Sequence, residues 1–175
     1  MSSNLFDMTN KVALITGSSK GIGRAIAEEM VRQGAKVVIS SRKADVCQEV
    51  ADAINAEAKA SGNQTGEAIV IPAHVGQREA LQHLVDETRA RLGQIDVLVC
   101  NAAVNPFYGS MQELPDDAMD KILDINIKSN HWLVNMVLPE MIERKDGAII
   151  IVSSVGGLRG SPVLGAYCIS KAADL

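Results

Sequence analysis

Five short apolar runs alternate with longer stretches of helical character along this chain, and no other feature constrains its fold as strongly. The runs are almost continuous in β-branched and aliphatic residues, as strands buried on both faces of a sheet are. They cover residues 11–16, 36–40, 67–73, 95–100 and 148–154. Since strands that alternate with helices are joined by right-handed crossovers, the pattern predicts a parallel sheet with helices on both faces.

The stretches between the runs place apolar residues at helical spacing. The first three end on glycines, which commonly stop a helix; these are Gly34, Gly62 and Gly93. Residues 115–145 predict two helices or one interrupted helix, because Pro139 favours a kink or a break. A last helix is predicted from about Val163 to Leu175.

The chain has 175 residues and shows no internal repeat, low-complexity tract or linker. That length is enough for one domain with a substantial core, but not for two comfortable ones. The prediction is therefore a single doubly wound, Rossmann-like α/β domain over residues 1–175.

Composition and charge disfavour several other classes of protein. The 17 basic and 21 acidic residues give a net charge of −4 without a basic run, so nucleic acid is not expected as a partner. Residues 1–11 lack the features of an export signal, and no segment reaches about 18 uninterrupted apolar residues, so a cytoplasmic protein without a membrane partner is expected. No cluster of ligands predicts a metal. The widely spaced cysteines are interpreted as reduced packing residues; they are Cys47, Cys100 and Cys168.

The segment TGSSKGIGRAIA, at 16–27, directly follows the first predicted strand and opens the first predicted helix. Its glycines allow a tight turn and a close approach of the backbone to a pyrophosphate, while the helix N-terminus offers free N–H groups. The spacing G-x-x-x-G-x-G differs from the more familiar G-x-G-x-x-G, and three glycines alone could form only a turn. The strand before and the helix after favour a dinucleotide site, whose candidate residues are Gly17, Ser19, Lys20, Gly21, Ile22 and Gly23.

The end of the second predicted strand distinguishes NAD from NADP. An acidic residue there would bind the ribose hydroxyls of NAD, whereas this chain has Ser41, Arg42 and Lys43, with Lys20 in the glycine loop. Positive charge suits a 2′-phosphate, so NADP(H) is the predicted cofactor. The alternative is that Arg42 and Lys43 are ordinary solvated loop charges.

Tyr167 and Lys171 are four residues apart, which in a helix puts both side chains on one face. A free phenol has a pKa of about 10, and a neighbouring ammonium lowers that pKa toward neutrality. Such a tyrosine can act as general acid in a reduction and as general base in an oxidation. The pair alone is weak evidence, because this spacing often arises by chance.

These motifs occur in the order and spacing of the short-chain dehydrogenase/reductase family, which the chain resembles over essentially its whole length. The segments that carry the resemblance are TGSSKGIG, CNAAVNP at 100–106, LDINIKSN at 123–130, IVSSVGG at 151–157 and YCISK at 167–171. The shorter segments SSRKADV, HVGQRE and NAAVNPFYG resemble the NADPH-dependent carbonyl and retinol dehydrogenase/reductase branch. The resemblance implies strand order 3-2-1-4-5, homo-oligomeric assembly, and NADP-dependent hydride transfer between nicotinamide and a ketone, aldehyde or retinoid-like carbonyl, or the matching alcohol.

The resemblance also implies roles for individual residues. Ser154, at the end of the fifth predicted strand, binds the substrate oxygen; Tyr167 exchanges the proton, and Lys171 lowers the proton affinity of the phenol and donates to the nicotinamide ribose. Asn126 holds a water of a proton relay, although read alone it could be an exposed polar residue. Ser153 is less suited than Ser154, because neighbours on a strand point to opposite faces. Further cofactor contacts fall on His74, Val75, Asn101 and Ala102.

Two positions depart from the family's pattern. Ala103 replaces the glycine of the usual Asn-Ala-Gly after the fourth strand, which leaves the backbone less freedom beside the cofactor. His74 replaces an aspartate that lies beside the adenine. It could contact adenine through its ring or backbone, or it could be purely structural.

Relative to the family, the chain is expected to lack the last two strands and the helical lid over the substrate. The fifth strand is therefore predicted to be an edge of the sheet, and the substrate pocket to lose one wall. Two alternatives to an active carbonyl reductase follow. One is a catalytically silent remnant that binds nucleotide, and the other is a 3-oxoacyl thioester reductase, which shares these motifs.

Overall fold

A computed structural model describes residues 5–175 and places all five strands in one parallel sheet. The strand order is β3-β2-β1-β4-β5, which confirms the predicted 3-2-1-4-5. The strands are β1 Val12–Thr16, β2 Lys36–Ser40, β3 Glu67–Val70, β4 Val97–Cys100 and β5 Ala148–Ile151. The order reverses between β1 and β4, so their carboxyl ends open the crevice where ligands bind in such sheets.

The described part of the chain contains six α-helices, four of which pack on the two faces of this sheet. The six helices are α1 Gly21–Arg32, α2 Ala44–Ala60, α3 Arg78–Leu92, α4 Asp116–Leu123, α5 Ser129–Arg144 and α6 Gly165–Ala172. A π turn at Asp124–Lys128 joins α4 to α5, and short 3₁₀ turns occupy Met111–Glu113 and Val155–Gly157. None of the helices among residues 5–175 is long and apolar enough to cross a membrane.

The sheet has a separate hydrophobic core on each face. Alternate residues of β1 point to opposite sides, so Ile15 packs with α1 and α2 while Leu14 packs with α3 and α5. All five residues of β1 are buried, which explains why its sequence is continuously apolar rather than alternating. The three cysteines are buried and free, as the packing interpretation predicted; they are Cys47, Cys100 and Cys168.

Pro139 neither ends α5 nor separates two helices, so the predicted break is wrong; it lies inside α5, which continues to Arg144. The proline leaves the carbonyl of Asn135 without its helical partner, but Asn135 is exposed and water can bind that group. The helix is interrupted instead at the π turn, which ends at Lys128, before α5 begins.

Both outer strands are shorter than predicted. β3 ends at Val70 instead of residue 73, although the N–H groups of Ile71 and Ala73 still donate to the carbonyls of Ile39 and Ser41. β5 ends at Ile151 instead of residue 154, because the chain turns into the 3₁₀ segment. Within residues 5–175, β5 pairs only with β4, which confirms that it is an edge strand.

Candidate active site

The glycine loop between β1 and α1 closes against the end of β4. Gly17 and Gly21 have φ of +67° and +57°, a conformation that favours glycine. A methyl group on Gly17 would lie 3.1 Å from Ala102 Cα. On Gly23 it would lie 2.5 Å from Asn101 Nδ2 and 2.6 Å from the Gly17 carbonyl oxygen. Gly17 and Gly23 therefore allow the loop to lie close to Asn101 and Ala102. This places the loop at the switch point of the sheet.

Thr16 fixes the position of Asn101 and Ala102 beside this loop. Its buried hydroxyl accepts from the N–H groups of both residues, at 3.1 Å each. Asn101 Nδ2 in turn donates to the carbonyls of Thr16, at 2.9 Å, and Gly17, at 3.2 Å. Sequence reasoning missed Thr16, although a hydroxyl residue directly before the first glycine of the loop was a visible signal.

Ser18 ties the glycine loop to β2. Its hydroxyl donates to the Ile15 carbonyl and accepts from the Ser40 N–H, both at 2.8 Å. The residues that follow β2, Arg42 and Lys43, are exposed and form no ion pair with any residue of 5–175. Ser41 is half-buried, and its hydroxyl lies 3.1 Å from Cys47 Sγ.

The N-terminus of α1 is suited to an anion. No side chain caps the helix at Lys20, and its first turn holds no acidic residue, so the backbone N–H groups there carry uncompensated positive partial charge. Lys20 is exposed beside them, and Ile22 is 64% exposed. Ser19 is half-buried in the same loop.

The loop after β3 brings His74 and Val75 toward the π turn. Both side chains are half-buried, and His74 Nδ1 accepts from the Gly76 N–H at 3.1 Å. A methyl group on Gly76 would lie 2.7 Å from Ile125 Cδ1, so this loop packs closely on the π turn. The structural hydrogen bond of His74 uses one ring nitrogen and leaves the other for a ligand contact.

Asn126 is fully buried in the π turn, so the alternative of an exposed polar residue is wrong. Its Oδ1 accepts from the Val104 N–H at 2.8 Å, and its Nδ2 donates to the Val104 carbonyl at 3.0 Å and to Ser170 Oγ at 2.9 Å. These bonds join the loop after β4 to α6. A π turn allows this placement because it adds a residue to the helical turn and turns the side chain inward.

Ser154 and Tyr167 lie around Gly156. A methyl group on Gly156 would lie 3.5 Å from Ser154 Oγ and 3.7 Å from Tyr167 Cε1. The prediction that Ser154 ends the fifth strand is wrong, because β5 ends at Ile151. Ser154 instead caps the 3₁₀ turn, where its Oγ accepts from the Gly156 N–H at 3.1 Å. Ser153 Oγ donates elsewhere, to the Lys171 carbonyl at 2.8 Å, so the two serines do act in different directions.

Lys171 is buried, and its ammonium is paired inside the protein. Nζ donates to Asp174 Oδ2 and to the Val152 carbonyl, both at 2.8 Å. Sequence reasoning did not identify Asp174, although an acidic residue three positions after a helical lysine is a recognisable ion-pair signal. Asn130, which holds the same carboxylate, was also missed; it lies one turn after Asn126.

A shallow groove, too narrow to admit a water molecule, lies beside Tyr167. Its walls come from the loop after β4, from α4 and from the start of α6, and they are mostly apolar. The main lining side chains are Phe107, Met111, Leu114, Ile122, Val163, Leu164 and Tyr167.

The switch-point glycine loop, the anion-suited helix N-terminus and the adjacent Ser154 and Tyr167 together are typical of dinucleotide-binding α/β oxidoreductases. The family model for short chain dehydrogenases matches residues 11–174. The chain therefore belongs to the short-chain dehydrogenase/reductase family.

Curated relatives extend over nearly all of this chain. Dehydrogenase/reductase SDR family member 4 of Bos taurus is 42% identical over 168 residues, which are 96% of this chain and 58% of that protein. The mitochondrial SDR family member 2 of Homo sapiens is 42% identical over 168 residues, or 96% of this chain and 57% of that protein. The chain thus spans less than two thirds of the length of these relatives.

Solved structures agree with the fold. A short-chain dehydrogenase/reductase from Mycobacterium marinum has 33% identity and a TM-score of 0.86, covering 97% of this chain and 66% of its own. A metagenomic short-chain oxidoreductase in complex with NADP has 31% identity and a TM-score of 0.88, covering 96% of this chain and 73% of its own. An alcohol dehydrogenase from Thermococcus sibiricus, complexed with 5-hydroxy-NADP, has 26% identity and a TM-score of 0.84, covering 94% of this chain and 66% of its own.

Proposed function

We propose that this chain is an NADP-dependent oxidoreductase that transfers hydride between nicotinamide and a carbonyl or secondary alcohol. The observation that carries the proposal is the position of Ser154 and Tyr167 around Gly156, at the same end of the sheet as the glycine loop. A substrate oxygen placed there has a hydroxyl and a phenol within reach. The NADP complexes of the solved relatives support the choice of cofactor.

The chain's own residues fit a dinucleotide. The positive φ of Gly17 and the lack of room for a Cβ on Gly23 keep the loop tightly turned at the switch point of the sheet, where a pyrophosphate would bind. The uncapped N-terminus of α1 supplies N–H donors to the phosphates. Arg42 and Lys43, exposed and without an ion partner among the described residues, would hold the 2′-phosphate. When bound, the nicotinamide supplies the hydride or accepts it.

The proton is handled by the protein. Tyr167 donates it to the substrate oxygen in the reduction and removes it in the oxidation. Ser154 orients that oxygen by a hydrogen bond, and Lys171 stabilises the phenolate electrostatically. Asn126 holds the loop after β4 and α6 together, so that the phenol keeps its position.

The groove beside Tyr167 would have to widen to admit a substrate, and its mostly apolar lining favours an apolar carbonyl compound. Most of its lining side chains are aliphatic, aromatic or methionine, which supports the ketone, aldehyde or retinoid-like substrates that the family resemblance implies. A cytoplasmic location and a homo-oligomeric assembly stay predictions from the sequence.

The test is NADPH oxidation by the full chain with a panel of ketones, aldehydes and retinal. Tyr167→Phe is expected to reduce turnover by about 100-fold or more, because it removes the proton donor and little volume. Tyr108→Phe is the matched control, since Tyr108 is exposed outside this set of residues. Turnover that does not respond to Tyr167→Phe would contradict the mechanism.

A silent nucleotide-binding protein is the second candidate. The partial exposure of β5 favours it, because Ile150, four residues before Ser154, is 45% exposed within the described part of the chain. NADPH binding without oxidation of any carbonyl in the panel would support this candidate. Absence of NADPH binding would contradict both.

A further inference from the structure

The Lys171 ammonium is balanced by a buried carboxylate. Nζ and Asp174 Oδ2 are 2.8 Å apart, and both side chains are only 3% exposed. An ammonium has three N–H donors; within residues 5–175, two of them are used, by Asp174 and by the Val152 carbonyl. The third remains for a ribose hydroxyl.

The carboxylate of Asp174 is itself held in place by α5. Asn130 Nδ2 donates to Asp174 Oδ1 at 3.2 Å and to the Asn126 carbonyl at 2.8 Å. Both carboxylate oxygens are therefore engaged, one by the lysine and one by an amide that is anchored to the π turn. Because charged groups are buried only when they are paired and hydrogen-bonded, this set is a built counter-ion for Lys171.

We propose that Asp174 is a positioning residue that holds the Lys171 ammonium and offsets its charge at the Tyr167 phenol. The proposal rests on the proposed function, which gives Lys171 the task of stabilising the phenolate. A close ammonium–carboxylate pair acts on its neighbours as a dipole, and a dipole's field falls faster with distance than the field of one charge. Tyr167 therefore senses only part of the lysine's charge while the pair is intact.

Within residues 5–175, the pair also interacts with one thiol, one side-chain amide and one backbone carbonyl. Cys100 faces it from β4, and burial, with the negative charge of Asp174 adding and Lys171 opposing, raises the pKa of the Cys100 thiol to about 12. Cys100 is therefore a neutral thiol at neutral pH. Asn130 from α5 and the Val152 carbonyl beside β5 are neutral at all pH values.

The chain offers a direct spectroscopic test, because it has only two tyrosines. In a Tyr108→Phe background, the near-ultraviolet phenolate absorbance reports Tyr167 alone, and circular dichroism checks that the protein stays folded. The titration is run on Lys171→Met, on Asp174→Asn and on the double variant. Asp146→Asn is the control, since it breaks the exposed ion pair with Lys11, whose atoms are 2.7 Å apart.

In Lys171→Met, the midpoint of the phenolate absorbance transition is expected about 1 pH unit higher than in the parent protein. In Asp174→Asn the midpoint is expected at least about 0.5 pH unit lower, and in the double variant it is expected within about 0.3 pH unit of the parent. Asp146→Asn is expected to leave it unmoved. A double variant that keeps the whole rise of Lys171→Met overturns the proposal. This variant has no unpaired buried charge, so it remains decisive even where Asp174→Asn does not fold. If Lys171→Met itself leaves the transition unmoved, the role of lysine in the proposed function fails as well.

Discussion

The two ends of the catalytic crevice are built by different means. On the nucleotide side, β1, β2 and β4 are buried almost throughout, and the glycine loop is held by steric contact with Asn101 and Ala102. On the tyrosine side, β5 is only partly buried, and Ile150 is 45% exposed. There, α6 is only eight residues long and is held by polar side chains.

The glycine loop is therefore positioned mainly by apolar packing, and the tyrosine helix mainly by hydrogen bonds. Apolar burial fixes the glycine loop through three neighbouring strands, so loss of one contact there disturbs a large core. The tyrosine helix depends on a few specific bonds, each worth about 1 kcal/mol. We therefore expect changes on the nucleotide side to cost more stability than comparable changes on the tyrosine side.

The largest effect is expected in the hydrophobic core that β1 and β4 form with α3 and α5. Leu98→Ala on β4 removes a fully buried side chain, and the cavity should lower the free energy of unfolding by about 3–5 kcal/mol. Urea denaturation measures it. A loss below about 1 kcal/mol would contradict the difference between the two sides.

Gly23→Ala should cost about 1–3 kcal/mol and weaken NADPH binding, because the added methyl group meets the Gly17 carbonyl and the Asn101 amide. Gly160→Ala is the matched control, since a methyl group there has no atom within 4 Å. Denaturation and NADPH fluorescence titration measure the two effects. Equal behaviour of the two variants would show that the loop is not held sterically.

Ser153→Ala should cost about 1 kcal/mol, because the hydrogen bond from Ser153 Oγ to the Lys171 carbonyl is lost. The midpoint of urea denaturation reports the change. The variant should leave NADPH affinity unchanged, because Ser153 bonds to the backbone carbonyl of Lys171 and not to its ammonium. A loss of NADPH binding free energy as large as the loss of stability, about 1 kcal/mol, would show that the nucleotide side and the tyrosine side are not independent.

Ile150→Ala should cost less than about 1 kcal/mol, because the side chain is 45% exposed on the edge strand. Compared with Leu98→Ala on the neighbouring strand, it measures the contrast in burial directly. The same denaturation curves suffice. A loss as large as that of Leu98→Ala would mean that another part of the protein covers β5.

The smallest effect concerns the ion pair of Lys11, before β1, and Asp146, before β5. The hydrogen bond from Lys11 lowers the pKa of Asp146 below 3.8, and the same bond raises the pKa of Lys11 above 10.5. The Asp146 contribution to stability is thus present above pH 3.8 and is lost as the pH falls through its lowered pKa. The Lys11 contribution is present below pH 10.5 and is lost as the pH rises through its raised pKa.

Lys11→Met should therefore lower stability slightly between pH 3.8 and pH 10.5, where the pair contributes, and leave it unchanged at both extremes, so that stability depends less on pH. Urea denaturation over a pH series measures this, with Lys36→Met as the control because Lys36 is also exposed beside β1 and forms no ion pair within residues 5–175. An unchanged acid limb in Lys11→Met would contradict the pairing.

The sequence predicted the sheet better than the site. Buried parallel strands are visible as apolar runs, so the strand order and the glycine loop followed from pattern and resemblance. The π turn at Asn126 could not be predicted, because its residues have ordinary helical character and the turn arises from bonds to Val104 and Ser170. Pro139 misled for a related reason, since its cost depends on whether the freed carbonyl of Asn135 reaches water.

The burial of the Lys171–Asp174 ion pair could not be predicted from the sequence. A helical spacing shows that Asp174 can reach Lys171, but not that both are buried, and surface pairs of this spacing contribute little. Burial depends on Asn130 and on the strand beneath, which belong to distant parts of the chain.

Binding of NADPH compared with NADH tests the central claim most directly. If the residues after β2 recognise a 2′-phosphate, fluorescence titration should give NADPH about tenfold tighter binding than NADH, and Arg42→Ala should remove most of that difference without changing the affinity for NADH. Equal affinity for the two nucleotides, or a preference that Arg42→Ala leaves intact, would contradict the account.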